Sequence, residues 1–171
     1  FGFNGWAKYK NFKNDNSVNN IISKISKIKK IEPKIKIGKK IKKFVLEGGA
    51  FDVNGEGSIL LTEECLLSKV QQRNTGVNKN MYEKVLKDYL NVTNFIWLKR
   101  GIKGDDTHGH IDDITRFISP NTIITAIEKQ KNDVNYNILK QNYEILKKAR
   151  NITGKKFKII SVPMPKPFFI N

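Results

Sequence analysis

The sequence predicts a mixed α/β fold assembled from two copies of one strand–strand–helix–strand unit. Three observations lead there. Turn signals recur at Asn54-Gly55-Glu56-Gly57 and at Ser119-Pro120-Asn121, each between two extended, apolar-rich segments. A helical apolar pattern and then a short apolar strand follow each hairpin. Glu47 opens the first unit and His110 the second, 63 residues apart. Repeats of this size suggest a radial or stacked architecture in which equivalent positions converge, so Glu47 and His110 could share one site.

The elements follow in order. Val18, Ile21, Ile22, Ile25 and Ile28 recur at helical spacing, Asn and Ser flanks can cap the start, and Pro33 ends that helix. Residues 44–53 (FVLEGGAFDV) read as extended, and 58–62 return as a strand. A loop with Asn74 and Gly76 comes next. Met81, Val85, Leu86 and Leu90 mark a helix, and 94–98 a short strand. In the second unit, 115–118 and 122–127 read as strands. Ile138, Leu139, Asn142, Leu146 and Ala149 give a helix with one mostly apolar face, and 157–162 a strand that Pro163 closes.

Composition bounds the function. A chain of 171 residues suits one domain or a large piece of one, and a 39% hydrophobic fraction suffices for a packed core. The expected form is an internal piece, because the chain starts at Phe1 without Met and stops after the apolar PMPKPFFI. No apolar run reaches membrane-span length, no basic-then-apolar leader opens the chain, and the single Cys65 allows no internal disulfide. These favour the cytoplasm and no membrane partner. The formal charge is +16, from 32 Lys+Arg against 16 Asp+Glu. A basic surface can bind nucleic acid. However, many lysines are scattered beside Asn and Ile, as a compositional bias would leave them. The densest basic stretch, residues 24–43, holds no aromatic side chain on which a base could stack. Nucleic acid is not the expected partner.

The stretch GDDTHGHIDD, Gly104 to Asp113, holds both histidines and four of the sixteen acidic residues. Three readings compete for it. His108, His110 and Asp112 resemble the opening of a binuclear zinc hydrolase motif, but such sites need further histidines and the chain has none. A second reading is a site for a guanidinium or amine cation, with carboxylates matching the planar fork and a histidine moving protons. Alternation in His110-Ile111-Asp112 would put His110 and Asp112 on one face of an extended segment and send Ile111 into the core. Glu47 would join them through the repeat. This reading also fits the charge, since a cationic substrate needs a local acidic pocket whatever the global sign. The third reading is a loop that only caps and turns, the better one for His108 and Asp113 individually.

Glu47-Gly48-Gly49 leaves a similar choice between close ligand approach and a strand bulge with a solvated Glu47. Glu63 and Glu64 oppose ionisation of Cys65 and two leucines follow it, which reads as a buried structural cysteine. Trp6 could stack on a ligand, with burial in the core as the favoured role.

FGFNGWAKY, LEGGAFDVNGEGSILLTEECLL, WL followed by GDDTHGHIDD, and the late PMPKP together resemble the bacterial agmatine deiminase family, which includes the porphyromonas-type peptidyl-arginine deiminases. The likeness runs from Phe1 to about Pro167. It implies a pentein fold, a five-fold pseudosymmetric α/β propeller of ββαβ modules around a central site. Residues 1–171 would form the central part of that single domain, incomplete at both ends. It further implies hydrolysis of agmatine to N-carbamoylputrescine and ammonia, with no metal or organic cofactor. Glu47 matches the family's EGG glutamate, His110 its catalytic histidine and Asp112 its substrate-binding aspartate. A second aspartate and the nucleophilic cysteine belong to segments this chain lacks, and Cys65 matches a cysteine that is not the nucleophile. The partner would be a small guanidinium molecule, with a homo-oligomer possible for the full-length form. The competing readings are a deiminase of another guanidine such as peptidyl arginine, a basic nucleic-acid-binding module, and a metal hydrolase.

Overall fold

The computed structural model describes residues 1–166. The end of the PMPKP motif, from Pro167 onward, lies outside the described residues. Among the described residues, eight strands and four α-helices follow one another: α1 (Lys13–Ser26), β1 (Lys34–Ile37), β2 (Lys40–Lys43), β3 (Phe51–Val53), β4 (Ser58–Thr62), α2 (Glu63–Leu67), α3 (Lys79–Leu90), β5 (Asn94–Leu98), β6 (Thr115–Ser119), β7 (Thr122–Ile127), α4 (Tyr136–Lys148) and β8 (Lys158–Pro163).

The two units are present. β3 pairs antiparallel with β4, and β4 pairs parallel with β5 after the α3 crossover. The second sheet copies this, β6 antiparallel to β7 and β7 parallel to β8 after α4. A parallel neighbour requires a long crossover, which each helix supplies. The fold is mixed α/β, as the sequence predicts.

The core sits on both faces of the first sheet. Every residue of β4 is buried. Ile59, Leu61 and Trp97 pack with Tyr82, Val85 and Leu86 of α3. The alternate residues Leu60, Ile96 and Leu98 pack with Ile111, Ile123, Leu139 and Leu146 of the second unit. The strand period of two thus divides one sheet between two cores, and the second unit is seated directly behind the first.

Local chemistry sets the ends of the elements. The Asn78 side chain accepts from Met81 N at the start of α3, and Asn91 closes that helix in the left-handed region. Thr62 caps α2 by accepting from Cys65 N.

Four details differ from the sequence expectation. Lys27, in the left-handed region, ends α1 before Pro33 is reached, and the apolar residues Val18, Ile21, Ile22 and Ile25 of α1 are exposed. Residues 34–43 form the β1–β2 hairpin around Gly38, whose Lys/Ile alternation resembled compositional bias. The stretch 44–53 is not one strand. Residues Gly48–Ala50 make a single 3-10 turn, and only Phe51–Val53 pair with β4. EECLL, Glu63–Leu67, forms the short helix α2, which its apolar residues did not announce.

Candidate active site

Glu47 is carried to its place by its own strand-like approach. Gly2 pairs with the backbone of Phe44 and Leu46 on one side. On the other, the Asn74 side chain takes Val45 N at 2.9 Å and gives to Val45 O at 2.8 Å. The 3-10 turn after Glu47 sends Gly49 O toward the second unit, where it accepts from Ile111 N at 3.1 Å and Asp112 N at 3.3 Å. That pair of bonds brings the openings of the two units together.

His110 is placed by the loop before it. One oxygen of Asp105 accepts from the amide and hydroxyl of Thr107, and the other accepts from Gly109 N and His110 N. Burial pushes the Asp105 carboxyl up, but these four donors outweigh it and hold it below the usual range. Gly109 lies at φ +89, with its α-carbon close against Gly101, where a β-carbon on Gly101 would fall 2.5 Å from it. Residues 111–115 then form a turn, with Ile114 N and Thr115 N bonding Ile111 O. The segment is therefore not extended, as alternation had suggested. Ile111 still enters the core, fully buried.

Glu47, His110 and Asp112 come together. His110 Nε2 lies 3.8 Å from Glu47 Oε2, and Nδ1 of the same ring lies 3.7 Å from Asp112 Oδ1. Both gaps exceed hydrogen-bond length. His110 Nε2 is buried with no hydrogen-bond partner. Glu47 and His110 are buried, whereas the Asp112 side chain is 34% exposed. The three line a cleft of about 600 Å³ with Phe1, Trp6 and Phe51. Burial pushes Glu47 up, yet the facing His110 and the Arg73 guanidinium outweigh it and keep its carboxyl below the ordinary range. Asp112 Oδ2 already faces a guanidinium, that of Arg116 at 3.9 Å, which also pairs with Asp52.

The other candidates take different places. His108 turns away, in the left-handed region at φ 65, and its Nε2 meets Ser68 Oγ at 3.2 Å. The H-x-H-x-D set therefore does not converge. Asp113 is pushed upward by burial and by Asp105 and Asp112. Cys65 is fully buried, and burial pushes its thiol up to about 12. Its sulfur, a Glu47 oxygen and a His110 nitrogen do lie within 4.8 Å of one another. Such a set could take a soft cation only after that thiol lost its proton. Trp6 corrects the favoured sequence role. It is half-buried at the cleft wall, held at φ 54 between Phe3 and Tyr9 in edge-on contacts. Arg73 was missed altogether. It is buried and hydrogen-bonds both Glu47 oxygens, at 3.1 and 3.3 Å. One unexplained arginine in the QQRN loop was the only signal for it.

The family model of Porphyromonas-type peptidyl-arginine deiminase matches residues 1–171, the whole chain. The chain belongs to that family. Within the family, the agmatine deiminase of Pseudomonas putida is 37% identical over 126 residues, which is 74% of this chain and 34% of that protein. A Cys-to-Ser variant of the C. jejuni agmatine deiminase, solved with substrate bound, is 37% identical with a TM-score of 0.81, covering 99% of this chain and 46% of that one. The Enterococcus faecalis agmatine deiminase, solved in the course of its reaction, is 32% identical with a TM-score of 0.83, covering 96% and 44%. The fold is accordingly the partial pentein that the sequence motifs implied. The chain spans about a third of the length of the curated relatives it matches. Among the described residues, no helix is long and apolar enough to cross a membrane.

Proposed function

We propose that the full-length protein hydrolyses the guanidinium group of agmatine, giving N-carbamoylputrescine and ammonia. The observation that carries this reading is one imidazole set between two carboxylates in a cleft, within a chain of net charge +16. Acidic groups concentrated against the global sign select a cation. The likeness to agmatine deiminases supports the choice of guanidine.

In this reading Asp112 binds the guanidinium, and Glu47 orients His110 and receives a guanidinium nitrogen. A cysteine thiolate from another part of the polypeptide attacks the central carbon. Cys65, buried and held protonated, does not serve. As the C–N bond breaks, His110 gives a proton to the departing ammonia, leaving an amidino group on sulfur. His110 then takes a proton from water, whose oxygen adds to the same carbon. The C–S bond breaks and the thiolate returns. No metal or organic cofactor takes part. The reaction would serve putrescine supply in the cytoplasm. The central position of residues 1–171 in one pentein domain belongs to the same proposal.

Peptidyl arginine is the second reading, favoured by the family model's description. Ammonia release by the purified full-length protein, measured with agmatine and with an arginine-containing peptide, separates the two. Faster release from the peptide, or none from agmatine, would reject the first.

A further inference from the structure

We propose that Arg73 is the positioning residue of this site, its buried guanidinium fixing the Glu47 carboxylate opposite His110. The inference rests on the reading of Glu47 and His110 above and adds a residue which that reading does not contain.

The Arg73 side chain is fully out of solvent, and that of Glu47 is 6% exposed. Arg73 Nε donates to both Glu47 oxygens, Nη1 donates to Gln71 O at 3.0 Å, and Nη2 donates to Thr107 O. Its own carbonyl accepts from the Asn4 amide at 3.2 Å. One residue therefore ties the carboxylate to the loop ahead of His110 and to the segment that carries Trp6. The next residue, Asn74, clamps the backbone of Val45 and donates to Tyr82 Oη at 2.9 Å. Arg73 and Asn74 thus hold alternate residues of the segment that delivers Glu47, one by its side chain and one by its backbone. Arg73 does not line the cleft. It acts through Glu47, not on the substrate.

The planar fork matters more than the charge. Three of its nitrogens have fixed partners on three chain segments, and a lysine ammonium cannot reproduce that spread. A buried carboxylate that lost this partner would also take up a proton more readily, because burial opposes its charge. The groups facing Glu47 are Arg73, His110 and the Cys65 thiol. Those around His110 are Glu47, Asp112, Asp113 and Cys65, with Asp105 on its backbone amide.

The test uses the full-length protein, agmatine and ammonia release, with R73K, R73M, E47Q and the two doubles. Both Arg73 variants should lower kcat by about 10²-fold, the low end of what a positioned acid/base group contributes, with KM nearly unchanged. R73M should move the acid limb of the kcat profile to higher pH, and R73K should move it less. In the E47Q background neither should lower kcat further. An unchanged kcat in R73K, a loss confined to KM, or an added loss in E47Q would overturn the inference. If R73M fails to fold, R73K and its double decide alone. If E47Q itself keeps full kcat, the reading of Glu47 fails. If E47Q loses activity while R73K does not, only the role of Arg73 fails.

Discussion

Glu47 Oε2 and His110 Nε2 face each other at 3.8 Å across the junction of two repeat units, from positions 63 residues apart. His110 Nε2 is the one buried side-chain nitrogen of the described residues that has no hydrogen-bond partner. If that nitrogen exchanges protons with substrate, His110→Asn should lower ammonia release from agmatine by about 10²–10⁴-fold while the protein stays folded. Steady-state kinetics beside circular dichroism would check it. An active, folded variant would remove His110 from the chemistry.

Gly49 and Gly48 should respond in opposite ways to alanine. A β-carbon at Gly49 would fall 2.5 Å from His110 Nδ1 and 2.8 Å from both Asp112 oxygens, whereas one at Gly48 meets nothing within 4 Å. Gly49→Ala must displace the site, and a misplacement on the order of 1 Å can cost about 10²-fold in rate. Gly48→Ala should stay within about 0.5 kcal/mol of the parent in stability, with its activity kept. Equal activity of the two variants would show that the close contact does not matter.

Cys65 should resist thiol reagents. It is fully buried, with its thiol pushed up to about 12 by burial. Native protein at mildly alkaline pH should leave Cys65 unmodified, as peptide mapping would read, while the denatured chain reacts fully. Rapid native labelling at this residue would contradict the packing described.

Asp105 should contribute to acid sensitivity. Its folded pKa is depressed by its four donors, against the opposing push of burial. Its contribution is then fully present above the unfolded value, about 4, and is lost as pH falls through the lower folded value. Glu47, also depressed, has the same sign. Asp105→Asn would turn an NH₂ group toward amide donors, costing about 1–3 kcal/mol, and should flatten the loss of stability at low pH. Urea unfolding across an acidic pH series measures both effects. An unchanged pH dependence would place the sensitivity elsewhere.

Asn142 interrupts the apolar face of α4 for a structural reason. Buried there, it accepts from Lys99 N at 2.9 Å and donates to Arg100 O at 2.7 Å. Asn142→Leu would make the face more apolar and still destabilise by about 1–3 kcal/mol, because two buried backbone groups lose their partners. Chemical denaturation would read the loss. A more stable variant would mean that water replaces both bonds.

The sequence by itself determined the two ββαβ units and pointed to Glu47, His110 and Asp112 as neighbours, with the family motifs adding to the repeat. Those signals are local or periodic. Turn residues, strand alternation and helical spacing act over a few neighbours, and repetition at fixed spacing marks Glu47 and His110 as equivalent. Only the tertiary structure decided the rest. Arg73 reaches Glu47 from 26 residues away, with no periodic pattern to link them. Trp6 could have joined the core or lined a cleft, and the left-handed backbone at Gly5, Trp6 and Ala7 settled that choice. The alternation 34–43 became a hairpin because Gly38 takes the left-handed turn, which a composition dense in Lys and Ile concealed. His108 and His110 share one ten-residue motif, yet the positive φ of His108 and Gly109 sends the two rings to different places. A motif gives which groups are present, whereas backbone handedness and long-range pairing decide which of them meet.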